Sequence, residues 1–191
     1  MLVKTTRLLS SLMDFLGIIA SGLLLLLVAI ISYNVIARYA FSASSIGLEE
    51  ISWHLYAAIF LLGIPFALKS GSHVRVDIFY ENFSQRNKAI VDLVGCILFL
   101  FPTCLVIIWS GWNFTAAAYD LGDLPNSFSS FFQQLVSTGI GEKSQDPGGL
   151  LNRWIIKGVI PLSFAFLLLA SISFFIEKLN MYMQTTRKKK S

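Results

Sequence analysis

The sequence predicts an all-α membrane protein with four transmembrane helices. Charged residues make up 14% of the 191-residue chain, whereas a soluble domain carries about 25%. A helix needs roughly 20 apolar residues to cross a bilayer, and the alternation over about ten residues that marks barrel strands is absent. Four stretches without Asp, Glu, Lys or Arg approach or exceed that length, namely residues 15–37, 51–68, 93–119 and 158–176. These features favour membrane-spanning helices over a helical bundle in water, because a helix satisfies its own backbone hydrogen bonds in lipid.

We expect one membrane domain over residues 1–191, which begins with an amphipathic lead-in and span one. Leucines recur at helical spacing within residues 1–14, as is typical of a short interfacial helix on the inner membrane surface. Span one covers about residues 15–37. Its apolar run is longer than the ~7–15 residues typical of a cleaved signal peptide, so we expect it to stay in the protein.

Spans two, three and four are predicted at about residues 49–68, 89–112 and 153–176. Tryptophans near the outer ends of these three spans fit the aromatic belt of a membrane interface. Each span also contains one proline, which frees a backbone carbonyl and favours a kink. The prolines are Pro65, Pro102 and Pro161.

The outer loop, about residues 119–152, is the largest segment expected outside the membrane. Within it, apolar residues recur at the i, i+3, i+4, i+7 spacing of an amphipathic helix near 127–138. We expect this helix to lie on the outer membrane surface or against a partner. The candidate contact residues are Phe128, Phe131, Phe132 and Leu135.

Lys and Arg are distributed unevenly between the two sides of the predicted spans. With both termini inside, eleven of the 15 fall on the inner side and four on the outer side. The positive-inside rule therefore predicts cytoplasmic N- and C-termini. The basic run Arg187–Lys190 contacts either anionic membrane lipids or solvent. Nucleic-acid binding is not predicted, because the basic residues flank spans and no base-stacking surface accompanies them.

A polar set precedes span two in a chain that is otherwise apolar. Asn34 and Arg38 are four residues apart at the outer end of span one, and Glu49 and Glu50 open span two at the same level. Arg38 is therefore expected to meet an acid across the helix pair and to fix its register. The second acid is left for another chain or for solvent. Interfacial solvation is the alternative for each residue taken alone.

A second polar group follows span two on the inner side. His73 and Asp77 are four residues apart, with Arg75 between them. In a helix, His73 and Asp77 share a face and are candidates for fixing the register of the inner ends. Alternatively, Asp77 is the N-cap of a helix that begins at Ile78.

The motifs of enzymes and of self-sufficient transporters are missing. The sequence contains no nucleophile elbow, zinc-protease motif, CxxC pair or phosphate loop. His54 follows Glu50 by four residues, but two ligands do not complete a metal site, so a hydrogen-bonded histidine is the favoured interpretation. Charged residues cluster at the ends of the spans, whereas ion pathways leave ionisable groups within the membrane.

The polar landmarks of the first half resemble those of a known family. That family is the small membrane subunit of tripartite ATP-independent periplasmic (TRAP) transporters, the DctQ-like proteins. The second half of the chain matches the family in topology. The landmarks are, in order, Asn34-x-x-x-Arg38-Tyr39, Glu49-Glu50-x-x-Trp53, Gly63 and His73-x-x-x-Asp77.

The resemblance implies a scaffold subunit that has no catalytic residue and no cofactor of its own. Such subunits pair with a large permease, which is expected to bind sodium and the substrate, commonly an organic acid. A soluble periplasmic binding protein delivers the substrate, and the small subunit would support the permease and help that protein to dock. The resemblance also implies the inner membrane of a bacterium or archaeon, and it makes the polar landmarks candidate subunit-interface residues.

Two other functions remain as alternatives at this stage. A small tetraspan anchor or cofactor-binding subunit of a membrane enzyme would use His54 and His73, although the predicted topology puts these residues on opposite sides of the membrane. A self-assembling channel needs a polar stripe along one span. Span one offers Ser21, Ser32 and Asn34 for such a stripe, which is too sparse to line a pore.

Overall fold

The computed structural model of the protein describes residues 2–71, 83–122, 124–125 and 127–188. Every regular element in this part of the chain is helical, and a π-helical turn at Cys96–Leu100 joins the third helix to the fourth. The helices are α1 (Leu2–Phe41), α2 (Ile46–Ser70), α3 (Gln85–Gly95), α4 (Phe101–Tyr119), α5 (Phe128–Ser137) and α6 (Trp154–Lys188).

Four helical segments of the described chain are long and apolar enough to cross a membrane, which confirms the predicted number of spans. Each is longer than predicted, because a helix continues beyond the point where its sequence stops being apolar. Helix α1 runs without a break from Leu2, so the predicted lead-in is continuous with span one, and its place on the inner membrane surface stays a prediction. The four segments are Leu9–Phe41, Ile46–Ser70, Gln85–Tyr119 and Trp154–Thr186.

Helix α6 lies at the centre of the bundle and contacts α1, α2, α3 and α4. Helices α1 and α2 form one close pair, and α4 packs along α6 to form the other. A cluster of Met13, Leu16 and Ala170 joins α1 to α6, with Phe166 packed against it. The first and last helices therefore share a core, although they are farthest apart in the sequence.

The ends of α2 carry clear start and stop signals. The Ser45 side chain caps the first turn by accepting a hydrogen bond from the backbone N–H of Leu48. Gly71 ends the helix with a φ of 69°, and its N–H reaches back to the carbonyls of Ala67 and Leu68. This left-handed conformation suits glycine, which has no Cβ.

The prolines of the spans are accommodated in different ways. Pro102 is the second residue after the π-helical turn, and the N–H of Phe101 bonds to the carbonyl of Cys96 five residues earlier. Helices α2 and α6 instead continue through Pro65 and Pro161. Gly111 of α4 faces Pro161 so closely that a Cβ there would lie 3.1 Å from the proline Cδ. The absence of a side chain at Gly111 therefore makes room for the ring of Pro161 where α4 packs against α6.

The alternating direction of the spans defines two ends of the bundle. We call the end where α1 begins and α6 finishes the termini end. The described residues between α4 and α6, namely 120–122, 124–125 and 127–153, lie at the opposite end, and we call them the cap.

Candidate functional site

The cap is a folded structure that is tied to both flanking helices. The N–H of Glu142 donates to the carbonyl of Ala118 at 2.8 Å, and the N–H of Arg153 donates to the carbonyl of Glu142 at 2.9 Å. Asn152 links two further points, since its Oδ1 accepts from Ile140 N–H at 2.7 Å and its Nδ2 donates to the Leu135 carbonyl at 2.8 Å. These contacts hold the cap against the bundle.

The Glu50 carboxylate fastens the cap to the first turns of α2. The residue is 6% exposed, and its Oε1 accepts a hydrogen bond from Ser144 Oγ at 2.5 Å while Oε2 accepts one from Leu150 N–H at 2.6 Å. The N–H of Ser144 donates to the Leu150 carbonyl at 2.9 Å. This bond closes the loop of residues 144–150, to which Glu50 is bonded. A Cβ on Gly149 would lie 3.0 Å from Glu50 Oε2, so the hydrogen bonds of Glu50 to this loop require a glycine at position 149.

Glu49 and Glu50 point to different partners, because adjacent residues on a helix lie about 100° apart. Glu49 Oε1 is 3.7 Å from Arg38 Nη2, and the two side chains are 48% and 50% exposed. The expected contact between Arg38 and an acid is therefore present. The expectation that the second acid is left for another chain or for solvent needs correction, because Glu50 bonds to the cap of its own chain.

A groove of about 360 Å³ lies between α1 and α2 near the Arg38–Glu49 pair. Asn34 lines it, and the Oδ1 atom of this residue is buried without a hydrogen-bond partner among the described residues. The nearby Ser52 hydroxyl does not serve as that partner, since it donates to the carbonyl of Leu48 at 2.8 Å. We call this feature the α1/α2 groove, and it is lined by Leu27, Ile31, Asn34, Val35, Arg38, Glu49, Ser52, Trp53 and Tyr56.

The same two helices are also joined at the termini end. Lys69 of α2 forms an ion pair with Asp14 of α1, and its Nζ also donates to the carbonyl of Ser10 at 3.0 Å. Asp14 and Lys69 border the apolar stretches 15–37 and 51–68, and their pairing was not predicted from the sequence. The signal was opposite charges at the same end of consecutive spans. His73, Arg75 and Asp77, the residues predicted to act at this end, lie outside the described residues.

A nearly buried ion pair connects α3 to α6. Asp92 Oδ2 is 2.8 Å from Lys178 Nζ, and the two side chains are 10% and 12% exposed. Lys178 Nζ also lies 4.9 Å from the centre of the Phe174 ring. Both charges fall inside candidate spans, about two helical turns from the termini end. The pair lies towards the ends of the spans, which agrees with the expected clustering of charges there, but it is nearly buried.

His54 is hydrogen-bonded, as predicted from the sequence. Its Nδ1 donates to the backbone carbonyl of Glu50 at 2.6 Å, and a carbonyl can only accept. The Glu50 carboxylate is meanwhile bonded to the cap. No group of three or more His, Cys, Asp or Glu suited to a metal ion occurs in the described part of the chain.

Helix α5 occupies the region in which an amphipathic helix is predicted. Its start is fixed by a capping box in which Ser127 and Ser130 each bond to the backbone of the other. Phe128 and Phe132 are exposed and meet edge to face with ring centres 5.1 Å apart. Phe131 and Leu135 are half-buried. The contact of the apolar face of α5 with a membrane or a partner stays a prediction.

Comparison with known protein families places this geometry in context. Residues 27–181 match the DctQ component of tripartite ATP-independent periplasmic transporters. The match covers about four fifths of the chain and includes the α1/α2 groove, Glu50 and the cap. No curated protein matches the chain. The chain therefore belongs to the DctQ family, the small membrane component of TRAP transporters.

Proposed function

We propose that this chain is the non-catalytic scaffold subunit of a sodium-coupled TRAP transporter for organic acid-type solutes. The large permease subunit would carry sodium and the solute, and a periplasmic binding protein would deliver the solute. The family is a transporter component, which supports this division of roles. The chain would lie in the inner membrane of a bacterium or archaeon.

The observation that carries the proposal is the unpaired amide oxygen of Asn34 in the α1/α2 groove. A buried acceptor without a hydrogen bond costs about 1–3 kcal/mol, and lipid chains offer no donor. The oxygen is enclosed in the chain alone, so a donor from another membrane protein would remove that cost only by entering the α1/α2 groove. Trp53 and Tyr56 beside the groove are exposed, and aromatic residues are enriched at protein interfaces. We therefore assign the permease contact to this face of α1 and α2.

The distribution of Lys and Arg supports an orientation with cytoplasmic termini. In that orientation the cap faces the periplasm, where a binding protein arrives. The exposed Phe128 and Phe132 side chains of α5 would then be available to it. A C-terminal fusion to green fluorescent protein tests the orientation, since fluorescence requires that the fusion partner folds in the cytoplasm.

Copurification tests the scaffold role directly. A tagged chain should retain the large permease in detergent, and a chain that never retains one would refute the proposal. Trp53→Ala should lower the retained permease about tenfold, as expected for a central aromatic contact. Trp109→Ala is the matched control, because Trp109 is equally exposed but lies on α4. Equal retention by both variants would rule out the α1/α2 face as the contact.

A further inference from the structure

We propose that the chain holds one phospholipid in an apolar crevice between α2 and α6, with the phosphate of the headgroup on Arg153. The crevice has a volume of about 290 Å³ and lies below the last residues of the cap. Leu55 and Ala58 of α2 form one wall, and Ile156 and Val159 of α6 form the other. The crevice is separate from the α1/α2 groove, and the inference does not rest on the proposed scaffold role.

The walls of the crevice favour a hydrocarbon chain over water. A buried water needs two to four polar partners, whereas nine of the twelve lining residues are aliphatic, and the Nδ1 of His54, which also lines the crevice, is bonded to the Glu50 carbonyl. Asn152 lines the crevice, but both polar atoms of its side chain are already bonded within the cap. An empty apolar space forfeits dispersion contacts on every wall. In a bilayer, an acyl chain is the filler available at this depth.

Arg153 supplies a charge at the cap end of the crevice. Its side chain forms no hydrogen bond or ion pair with any residue that the structure describes, whereas the nearby Lys157 is paired with Glu142. Both carboxylate oxygens of Glu50 are already engaged by Ser144 and Leu150. Arg153 attracts the Glu50 carboxylate at longer range but forms no hydrogen bond or ion pair with it, so its guanidinium can also bind an anion at the level where α6 begins. Phosphate oxygens accept two parallel hydrogen bonds from the N–H groups of an arginine guanidinium.

The size of the crevice argues against a helix of another protein as the occupant. A helix about 10 Å across fills roughly 800 Å³ for each 10 Å of its length, far more than the space available here. Leu151 and Ile155 at the mouth are exposed, so the opening is apolar as well. An acyl chain can enter through such an opening from the surrounding bilayer, and its headgroup then remains beside Arg153.

Native mass spectrometry of the full chain tests the proposal. The purified protein is given equal amounts of phosphatidylglycerol and of diacylglycerol with the same acyl chains. We expect one phosphatidylglycerol to be retained per chain and diacylglycerol to be lost. Arg153→Gln should lower phosphatidylglycerol retention about tenfold, which is the effect of one charge-assisted contact. Lys143→Gln is the matched control, because Lys143 is an exposed cation of the cap that does not line the crevice.

A photoactivatable phosphatidylglycerol with its reactive group on the acyl chain locates the bound lipid independently. Labelling should concentrate on the α2 and α6 walls, and Val159→Phe, which narrows the crevice, should reduce it. Circular dichroism establishes that each variant remains helical. Equal lipid retention by Arg153→Gln and Lys143→Gln would overturn the proposal. Equal retention of diacylglycerol, or labelling spread evenly over the spans, would overturn it as well.

Discussion

Removal of the Glu50 carboxylate should release the cap from the bundle. In Glu50→Ala, the hydroxyl of Ser144 and the N–H of Leu150 lose their acceptor at a site where the carboxylate is 6% exposed. Glu50→Gln should have a smaller effect, because the amide oxygen still accepts one hydrogen bond. Glu49→Ala is the matched control, since it removes the neighbouring carboxylate, whose partner is Arg38.

The contacts of Glu50 set the size of the expected effect. A hydrogen bond to a charged group contributes about 1.5–3 kcal/mol. Two such bonds are lost in Glu50→Ala, but water reaches the freed groups at this end of the bundle, so we expect the lower limit, about 3 kcal/mol. This corresponds to about a 150-fold rise in the population of the open cap. The Arg38–Glu49 pair is half-exposed, and pairs of that kind contribute about 0–1 kcal/mol.

Amide hydrogen exchange in nanodiscs measures this opening. The informative amide is that of Ser144. Its N–H bonds to the Leu150 carbonyl, whereas only its hydroxyl bonds to Glu50, so the exchange of this amide reports on the opening of the loop. We expect its exchange to accelerate about 150-fold in Glu50→Ala and less than about fivefold in Glu49→Ala. The Ile140 amide, which is held by Asn152, separates local release from loss of the whole cap. Equal protection of Ser144 in the two variants would refute the role assigned to Glu50.

Two further predictions concern the packing of the spans. A Cβ on Gly17 would lie 2.8 Å from the Phe66 ring, whereas nothing lies within 4 Å of one on Gly22. Gly17→Ala should therefore destabilise the protein by about 1–3 kcal/mol and lower its melting temperature in detergent, while Gly22→Ala should not, and equal melting temperatures would contradict the close contact. Asp92→Asn should cost about 3–5 kcal/mol, because it leaves the charge of Lys178 unpaired in the bundle. The double variant with Lys178→Met should recover most of that loss, and a double variant as unstable as Asp92→Asn would show that the pair is not the cause.

The number of spans was predictable, because their apolar length is a property of each segment alone. The ends of the helices were not predictable. A stretch without charges marks only the part of a helix that lies in lipid, whereas the helix itself continues into water. Span four was predicted to end near residue 176, whereas α6 runs to Lys188. The same use of charges as boundaries hid the Asp92–Lys178 pair. Asp92 fell at the inner end of predicted span three and Lys178 just beyond predicted span four, whereas both lie on long helices that pack against each other.

The role of Glu50 could be predicted only in part. Its position at the same level of the bundle as Arg38 follows from the antiparallel order of spans one and two. Its actual partners are Ser144 and Leu150, which are about 100 residues away along the chain. The positive φ of Asn152, at 60°, helps to present the end of the cap to α2. No spacing rule connects such a loop to a helix, because its conformation depends on the packed bundle.

The contacts within the chain indicate that it moves as one body. Lys69 and Asp14 join α1 to α2 at the termini end, and Glu50 joins α2 to the cap at the other. Asp92 and Lys178 join α3 to α6. A slide of one helical turn displaces a residue by 5.4 Å, which would break any of these contacts and would leave the nearly buried Asp92 and Lys178 unpaired inside the bundle. Transport requires a moving element, so we expect that element to belong to the partner subunit, with this chain as the stationary surface against which it moves.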